Sequence, residues 1–213
     1  MKKLAIFDID YTITRKETLM ELIKYVIKKD KRNIRFLPRA LYCGFLYLIK
    51  FYDEKKVKEG SLKFLENIKE EDLTKMVKGF YNDRLKKILY KDALDMMKKL
   101  KSEGCDIYLI SASPEFYLNE FYDIKEVDVI IGTKFKIENG IFVRQMDGEN
   151  CKGEEKVKRL KTYLTENNIK VDFSKSYMFS DSLSDKPLLD LVGNPYLINY
   201  KKKYDEIEIL RWK

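Results

Sequence analysis

Two aspartates near the start of the chain, Asp8 and Asp10, stand one residue apart directly after an apolar run at residues 4–7. Such a run is typical of a strand that is buried on both faces of a parallel sheet. Two carboxylates this close repel each other, so they need a cation or a shared proton. Mg²⁺ suits the pair because it binds one or two carboxylates together with substrate phosphate oxygens. For this stretch alone, the alternative is a plain turn with Thr12 as a helix cap.

Two further apolar runs, near residues 107 and 177, also end in polar groups. Ser111 follows the first, and Asp181 with Asp185 follows the second. Lys152 and Lys156 open a predicted helix one turn apart, which predicts that they share a face. The carboxyl ends of parallel strands meet at one sheet edge, so these groups are expected to converge. Such a set suits phosphoryl transfer, with a carboxylate nucleophile, a second carboxylate as acid and base, and cations on the phosphoryl oxygens.

The composition favours a globular protein, with 45% hydrophobic and 37% charged residues among 213. The net charge of +8 favours anionic ligands, but the charges are dispersed and no nucleic-acid-binding motif is present, so we expect no nucleic-acid partner. The chain has no histidine, which excludes Ser-His-Asp hydrolases, histidine phosphatases and most zinc sites. Three widely spaced cysteines and the lack of a signal-peptide pattern predict a reducing, cytoplasmic location.

Helical and strand patterns alternate along the chain. We predict helices at residues 17–28, 36–52, 90–103, 115–122, 152–166 and 188–192, two or three more helices within 53–90, strands at 106–110, 127–131, 177–179 and 196–198, and a hairpin around Asn139 and Gly140. This alternation predicts an α/β fold, a three-layer doubly wound parallel sheet. Residues 1–14 and 86–213 are expected to form its core, and residues 15–85 an inserted all-helical unit.

The segment 36–52 is dense in apolar and aromatic residues. It is too short to span a bilayer, and Arg39 and Lys50 interrupt it. The favoured interpretation is a helix buried in the core of the helical unit. The alternative is a helix on a membrane surface, because basic residues flank the apolar run.

The motifs, in this order, resemble those of the haloacid dehalogenase superfamily, which consists mostly of phosphatases. The resemblance rests on D-x-D-x-T at residues 8–12, S-A-S at 111–113, N-C-x-G-x-x-K-V at 150–157, S-D-S-x-S-D-x-P-L-L at 180–189 and L-V-G-N-P at 191–195. It covers nearly the whole chain and is greatest to a bacterial branch of the phosphoserine-phosphatase-like subfamily, whose members carry a helical cap after the first strand.

The resemblance implies a Mg²⁺-dependent phosphomonoester phosphatase. Asp8 would be the nucleophile that forms an aspartyl phosphate, and also a metal ligand. Asp10 would be the general acid and base, with its backbone carbonyl on the metal, and Asp181 would be a further ligand.

The resemblance also assigns the phosphate-binding groups. Thr12, Ser111, Lys156 and Lys152 would fill this role, and Asp185 would orient the lysine or a metal-bound water. Phosphoserine phosphatases have a lysine at the position of Lys152, whereas the closer branch has it at Lys156, which we prefer.

Two residues differ from the family pattern or point to the substrate. Tyr11 stands where most members have a small residue, usually glycine, so we expect it to shape the pocket. Glu17 matches a cap-side acid that contacts the substrate amine in phosphoserine phosphatases, whereas Ser184 replaces their asparagine and argues against that substrate.

Three alternatives to a generic phosphatase remain. The same chemistry suits a lipid-phosphate phosphatase or a phosphotransferase, and a non-catalytic phosphate-binding or scaffold protein is the alternative from another class. The expected partner is a small phosphorylated substrate, with an amphiphilic one and contact with a membrane surface as the alternative. The sequence does not predict the oligomeric state.

Overall fold

The central feature of the computed structural model, which describes residues 1–49 and 51–213, is a sheet of six parallel strands. The strands are β1 (Lys3–Phe7), β2 (Cys105–Pro114), β3 (Val127–Thr133), β6 (Tyr177–Ser180), β7 (Asn194–Ile198) and β8 (Glu208–Leu210). Their order in the sheet is β3-β2-β1-β6-β7-β8. Phe7 at the end of β1 lies in register with Leu109 of β2 and Phe179 of β6. The predicted doubly wound parallel α/β fold is therefore confirmed.

The remaining elements in the described part of the chain are eight α-helices, six short 3₁₀ segments and a separate two-stranded sheet. The helices are α1 (Thr18–Lys29), α2 (Leu37–Leu48), α3 (Glu54–Ser61), α4 (Glu70–Asp83), α5 (Lys91–Ser102), α6 (Glu115–Leu118), α7 (Glu154–Glu166) and α8 (Lys186–Leu189). The predicted hairpin forms as β4 (Phe135–Glu138) and β5 (Ile141–Met146), an antiparallel pair outside the main sheet.

Strand β1 is buried on both faces, as its continuous apolar run predicts. Ala5 and Phe7 belong to one hydrophobic cluster, whereas Leu4 and Ile6 belong to a second cluster. All four side chains are fully buried. Alternate residues of a strand point to opposite faces, so the two clusters are the two layers packed on the sheet. This double burial fixes the end of β1, which carries Asp8.

The start of α4 and the residue two positions before it contact the hairpin β4–β5 through backbone hydrogen bonds. The amide of Phe142 donates to the carbonyl of Ile68 at 2.9 Å, and the amide of Glu70 donates to the carbonyl of Gly140 at 2.9 Å. The segment between β1 and β2 is helical, with short 3₁₀ stretches. Its assignment as a cap, separate from the rest, stays a prediction.

The prediction that the aromatic segment is buried is wrong for four of its large side chains. Tyr42, Phe45, Ile49 and Phe51 are all more than half exposed, whereas Cys43 and Leu46 of α2 are buried. The reason is that α2 packs on α3 and the short 3₁₀ segment before it, which leaves another face open. Lys50, which the predicted helix included, lies outside the described residues. No helix of the described chain combines the length and apolarity that a membrane crossing requires.

Gly193, the glycine of the L-V-G-N-P motif, has a packing role. Its amide donates to the carbonyl of Phe173 at 2.9 Å. A Cβ atom on this residue would overlap the backbone carbonyl of Ser174. The glycine therefore permits the close approach of two backbones at the start of β7.

We expect Gly193→Ala to destabilise the protein, because the new methyl group meets backbone atoms that cannot rotate away. Overpacking of this kind costs about 1–3 kcal/mol. Urea unfolding, monitored by circular dichroism, measures the loss. An unchanged midpoint would contradict the packing role of this glycine.

Candidate active site

The carboxyl ends of β1, β2 and β6 bring the predicted groups together around one cavity of about 840 Å³. The register of the sheet places them, because Asp8 follows Phe7, Ser111 lies two residues beyond Leu109, and Asp181 follows β6 by one residue. Nine of the ten predicted site residues line this cavity, and Thr12 is the exception. The nine are Asp8, Asp10, Tyr11, Glu17, Ser111, Lys152, Lys156, Asp181 and Asp185. The volume lies in the usual range for small-molecule sites.

A buried ion-pair triad forms the floor of the cavity. The Lys156 Nζ donates to Asp8 Oδ1 at 2.6 Å and to Asp185 Oδ2 at 2.7 Å. Lys156 is 1% exposed and Asp185 is 3% exposed. The hydroxyl of Ser180 donates to the same Asp185 oxygen at 2.9 Å. Asp185 therefore holds the lysine in place against Asp8, which agrees with the orienting role that the family pattern implies.

The site holds more negative than positive charge. Burial raises the pKa of Asp8, Lys156 opposes this, and the carboxylates of Asp185 and Asp10 raise it further. Burial, followed by Asp185 and Asp10, raises the pKa of Asp181 to about 6. Burial disfavours the charge of Lys156, yet Asp8 and Asp185 raise the pKa of this lysine above its ordinary value. An additional cation would relieve the repulsion among these carboxylates.

The two candidate lysines have different surroundings. Lys152 lies before α7 and pairs with Glu54 of α3, and its side chain is 42% exposed. Gly153, at φ +55°, separates it from the helix. The prediction that Lys152 and Lys156 share a helix face is therefore wrong, since only Lys156 belongs to α7. Only Lys156, of these two, contacts Asp8.

The Asp10 side chain is held by two donors that the sequence analysis did not identify. The amide of Thr18, the first residue of α1, donates to Asp10 Oδ1 at 2.6 Å, and the Ser113 hydroxyl donates to Oδ2 at 2.6 Å. The hydroxyls of Thr18 and Ser113 also lie 3.1 Å apart. Ser113 belongs to the S-A-S motif, which was a usable signal, whereas nothing in the sequence marked Thr18 beyond the start of a helix.

Thr12, which the family pattern assigns to phosphate binding, is fully buried, does not line the cavity and instead connects two loops. Its hydroxyl donates to Asp8 Oδ2 at 3.4 Å and accepts from the amide of Asp181 at 2.9 Å. The side chain is fully buried, so it orients these two acids. Ser111 is 1% exposed, and its hydroxyl accepts from the amide of Ser113 at 3.1 Å.

The backbone conformation of Tyr11 is one that glycine adopts more easily, which explains why most members of the family that the motifs resemble have glycine at this position. Its φ is +58°, in the left-handed region that disfavours side chains. The ring is 49% exposed and lines the cavity. The residue thus keeps the backbone conformation of a glycine while adding an aromatic ring to the cavity.

Polar groups of α3 also reach the cavity, and the sequence analysis missed them. The Lys58 Nζ donates to the Ala112 carbonyl at 2.6 Å and to Asn150 Oδ1 at 2.7 Å, and Asn150 Nδ2 donates to Glu54 Oε2 at 2.8 Å. Burial lowers the pKa of Lys58 to about 8. A lysine in a lysine-rich amphipathic helix gives no signal of such a contact, because its partners come from distant parts of the chain.

Glu17 caps α1 at the edge of the cavity. Its carboxylate accepts from the amide of Met20 at 2.9 Å. Burial, followed by the charge of Asp10, raises the pKa of Glu17 to about 7. The carboxyl is therefore a helix cap and at the same time a titrating group near neutral pH.

The oxygen donors at the floor suit Mg²⁺. In the described part of the chain, no three side chains of His, Cys, Asp or Glu surround a common metal position. Mg²⁺ needs fewer, because it keeps several waters and binds through one or two carboxylates. Asp8 and Asp181 would provide two carboxylates, and the backbone carbonyl of Asp10 stays the predicted third oxygen. Burial, followed by the charges of Asp185 and Asp10, raises the pKa of Asp181, and a cation at this place would offset both effects.

Comparisons with known proteins agree with the fold and the motifs. The family model described as haloacid dehalogenase-like hydrolase matches residues 5–190. A histidinol-phosphatase of Neisseria meningitidis is 26% identical over 93% of this chain and 91% of its own length.

Two solved structures show the same fold. A protein of unknown function from Bordetella pertussis has a TM-score of 0.80 at 21% identity, covering 94% of this chain and 92% of that one. A phosphoserine phosphatase, solved as an analogue of its phospho-aspartyl intermediate, has a TM-score of 0.64 at 16% identity, covering 94% of this chain and 88% of that one. The family model spans most of the chain, so the resemblance read from the motifs is confirmed. This chain belongs to the haloacid dehalogenase-like hydrolase family.

Proposed function

We propose that this protein is a Mg²⁺-dependent phosphomonoester phosphatase that works through an aspartyl phosphate on Asp8. The observation that carries the proposal is the buried lysine, Lys156, held 2.6 Å from Asp8 at the carboxyl end of β1. A phosphatase requires a carboxylate nucleophile beside a fixed positive charge that meets the phosphoryl oxygens. Membership in a hydrolase family and a relative named as a phosphatase support the same activity.

Asp8 and Asp10 divide the chemistry between them. An Asp8 carboxylate oxygen forms a bond to phosphorus while the bond from phosphorus to the leaving oxygen breaks. Asp10 gives a proton to that oxygen and later takes one from the water that hydrolyses the aspartyl phosphate. The bonds from Thr18 and Ser113 fix the Asp10 side chain for these two transfers.

Positive charge and hydrogen-bond donors around the phosphoryl group lower the barrier. Lys156 would stabilise the phosphoryl oxygens, and the Ser111 hydroxyl would donate to one of them. Mg²⁺, held by the carboxylates of Asp8 and Asp181 and the carbonyl of Asp10, would neutralise charge between the nucleophile and the phosphate when bound. Thr12 and Asp185 position these groups without touching the substrate.

The helical segment, residues 15–85, would serve as the cap of a core made from residues 1–14 and 86–213. Side chains of this segment line the cavity opposite Asp8, among them Glu17, Glu54 and Lys58. A cap in this place excludes water and meets the leaving group. The substrate would be a small phosphorylated molecule whose alcohol lies against the helical segment.

The first test replaces the two reacting acids. Asp8→Asn should abolish hydrolysis of p-nitrophenyl phosphate, because an amide is a poor nucleophile. Asp10→Asn should slow it by about 10²–10⁴-fold through the loss of acid–base catalysis. Asp205→Asn, a change at an exposed surface acid, is the matched control and should keep full activity. Substantial turnover by Asp8→Asn would refute the mechanism, and phosphate binding by the wild type without turnover would indicate a binding protein.

The second test compares the two lysines. Lys156→Ala should reduce kcat by about 10²–10³-fold, because it removes a preorganised charge beside the phosphoryl group. Lys152→Ala should have a much smaller effect, since this lysine pairs with Glu54 at the surface. Rates are compared per folded protein, because loss of Lys156 also leaves two buried acids without a partner. A larger loss with Lys152→Ala would reverse the assignment.

The third test uses the pKa of Glu17. The folded protein holds this proton up to about pH 7, whereas an ordinary glutamate loses it near 4.5. The free energy of unfolding should therefore fall as the pH rises from about 4.5 through 7, and Glu17→Gln should remove this part of the fall. The free energy of unfolding of the variant minus that of the wild type should therefore be larger at pH 8.5 than at pH 4.5, by up to about 3 kcal/mol.

Urea unfolding in EDTA at the two pH values measures this difference. The glutamine oxygen can still cap α1, so loss of the cap does not obscure the result. A stability difference between variant and wild type that does not change with pH would contradict the raised pKa.

A further inference from the structure

An exposed apolar stripe lies along α2 and the residues that follow it. Tyr42, Phe45 and Ile49 are spaced three and four residues apart, so the first two share a helix face and Ile49 continues it. They are 59%, 56% and 55% exposed, and Phe51 is 73% exposed. Single exposed apolar residues are ordinary, but four within ten residues mark an interaction surface. We call these four residues the α2 stripe.

The segment that carries the α2 stripe is basic, although the acids Asp30 and Asp53 lie directly before and after it. Residues 31–52 contain no aspartate or glutamate but five lysines and arginines, at positions 31, 32, 35, 39 and 50. Lys28, Lys31 and Arg35 are exposed, and none of the three forms an ion pair with a described residue. A partner that meets this surface should therefore be both apolar and negatively charged. A bilayer with anionic headgroups has this combination.

The α2 stripe continues into the cavity at Phe45, which is exposed and also lines the cavity wall. The helical segment lines the cavity with both polar and apolar side chains, and Glu17, Glu54 and Lys58 are polar ones. Its apolar members are Leu19, Met20, Ile23, Leu37 and Val57. An apolar chain in contact with these five side chains gains from the burial, whereas a polar group placed against them would lose water without a hydrogen bond in return.

We propose that the substrate is a phosphomonoester carrying an alkyl or acyl chain, taken from an anionic bilayer on which the α2 stripe docks. The proposal rests on the phosphatase function above. The phosphate lies at Asp8 and Lys156, and the chain lies along the apolar side chains of the helical segment toward Phe45. Hydrolysis breaks the bond between phosphorus and the lipid oxygen and leaves a neutral alcohol on the chain.

The substrate half is tested with n-alkyl phosphates of two, six and ten carbons, each below its micellar concentration. We expect kcat/KM to rise at least tenfold from ethyl to decyl phosphate. Phe45→Ser should reduce this ratio while ethyl phosphate is still hydrolysed. A ratio near one in a wild type that hydrolyses p-nitrophenyl phosphate would overturn the lipid proposal alone. A wild type that hydrolyses none of these esters would overturn the proposed function itself.

The docking half is tested by flotation with vesicles of phosphatidylglycerol and phosphatidylcholine. The wild type should bind anionic vesicles at low salt, bind them less at 0.3 M salt, and not bind pure phosphatidylcholine. The double change Tyr42→Ser and Ile49→Ser should reduce the bound fraction at least fivefold, with an unchanged circular dichroism spectrum.

A matched control comes from the same substitution elsewhere, because Ile137 on the hairpin is 40% exposed. Ile137→Ser should float as the wild type does. Equal loss in both variants, or binding that survives the double change, would overturn the α2 stripe as the docking surface. The alternative occupant of the stripe is a second copy of the chain, which sedimentation velocity tests. If the wild type does not bind vesicles but forms a dimer that the double change dissociates, the stripe is a dimer interface and the docking proposal is overturned.

Discussion

The structure of this site depends on one buried cation, Lys156, fixed between two buried carboxylates. It belongs to the first turn of α7, where the helix dipole disfavours a positive charge, and burial disfavours it further. Asp8 at the end of β1 and Asp185 beyond β6 offset both effects through bonds of 2.6 and 2.7 Å. Removal of any one member would leave an uncompensated buried charge, at a cost of about 3–5 kcal/mol. The triad thus connects α7 to two strand ends and fixes the position of Asp8.

The same triad leaves the site short of positive charge. One lysine faces Asp8 and Asp185, while Asp181 and Asp10 add further carboxylates. Burial, followed by the charges of Asp185 and Asp10, raises the pKa of Asp181. A bound metal ion would therefore complement the triad, since the protein itself supplies only one fixed cation beside these acids. The bonds from Thr18 and Ser113 hold the Asp10 side chain in place, which would suit the two proton transfers that we propose for it.

Sequence patterns predicted the parts of the fold that depend on local periodicity. The run before Asp8 indicated a doubly buried strand, and the strand ends indicated where polar groups meet.

The sequence patterns failed where contacts between distant parts of the chain determine the structure. Helical spacing put Lys152 and Lys156 on one face, but Gly153 at φ +55° starts the helix after Lys152. Lys58 belongs to the site because it contacts Ala112, more than 50 positions away in the chain. Thr18 belongs to it through its backbone amide, which donates to Asp10, and through its hydroxyl, which meets the distant Ser113. Such contacts cannot be recognised from local composition. The exposure of α2 likewise depends on what packs against it, and its apolarity alone predicted burial.

Tyr11 follows Asp10 in the loop at the floor of the site, and its ring lines the cavity. A left-handed tyrosine costs about 1–2 kcal/mol relative to a relaxed backbone. The turn holds this conformation because the Ile9 carbonyl accepts from the amides of Thr12, Ile13 and Thr14 at 3.0–3.2 Å, which leaves the residues between them little freedom. The strain is thus set by the loop that carries Asp8 and Asp10, and a glycine would relieve it. A tyrosine in its place adds a half-exposed ring to a cavity that the helical segment lines in part with apolar side chains. Both features would suit the chain-bearing phosphomonoester that we propose as the substrate.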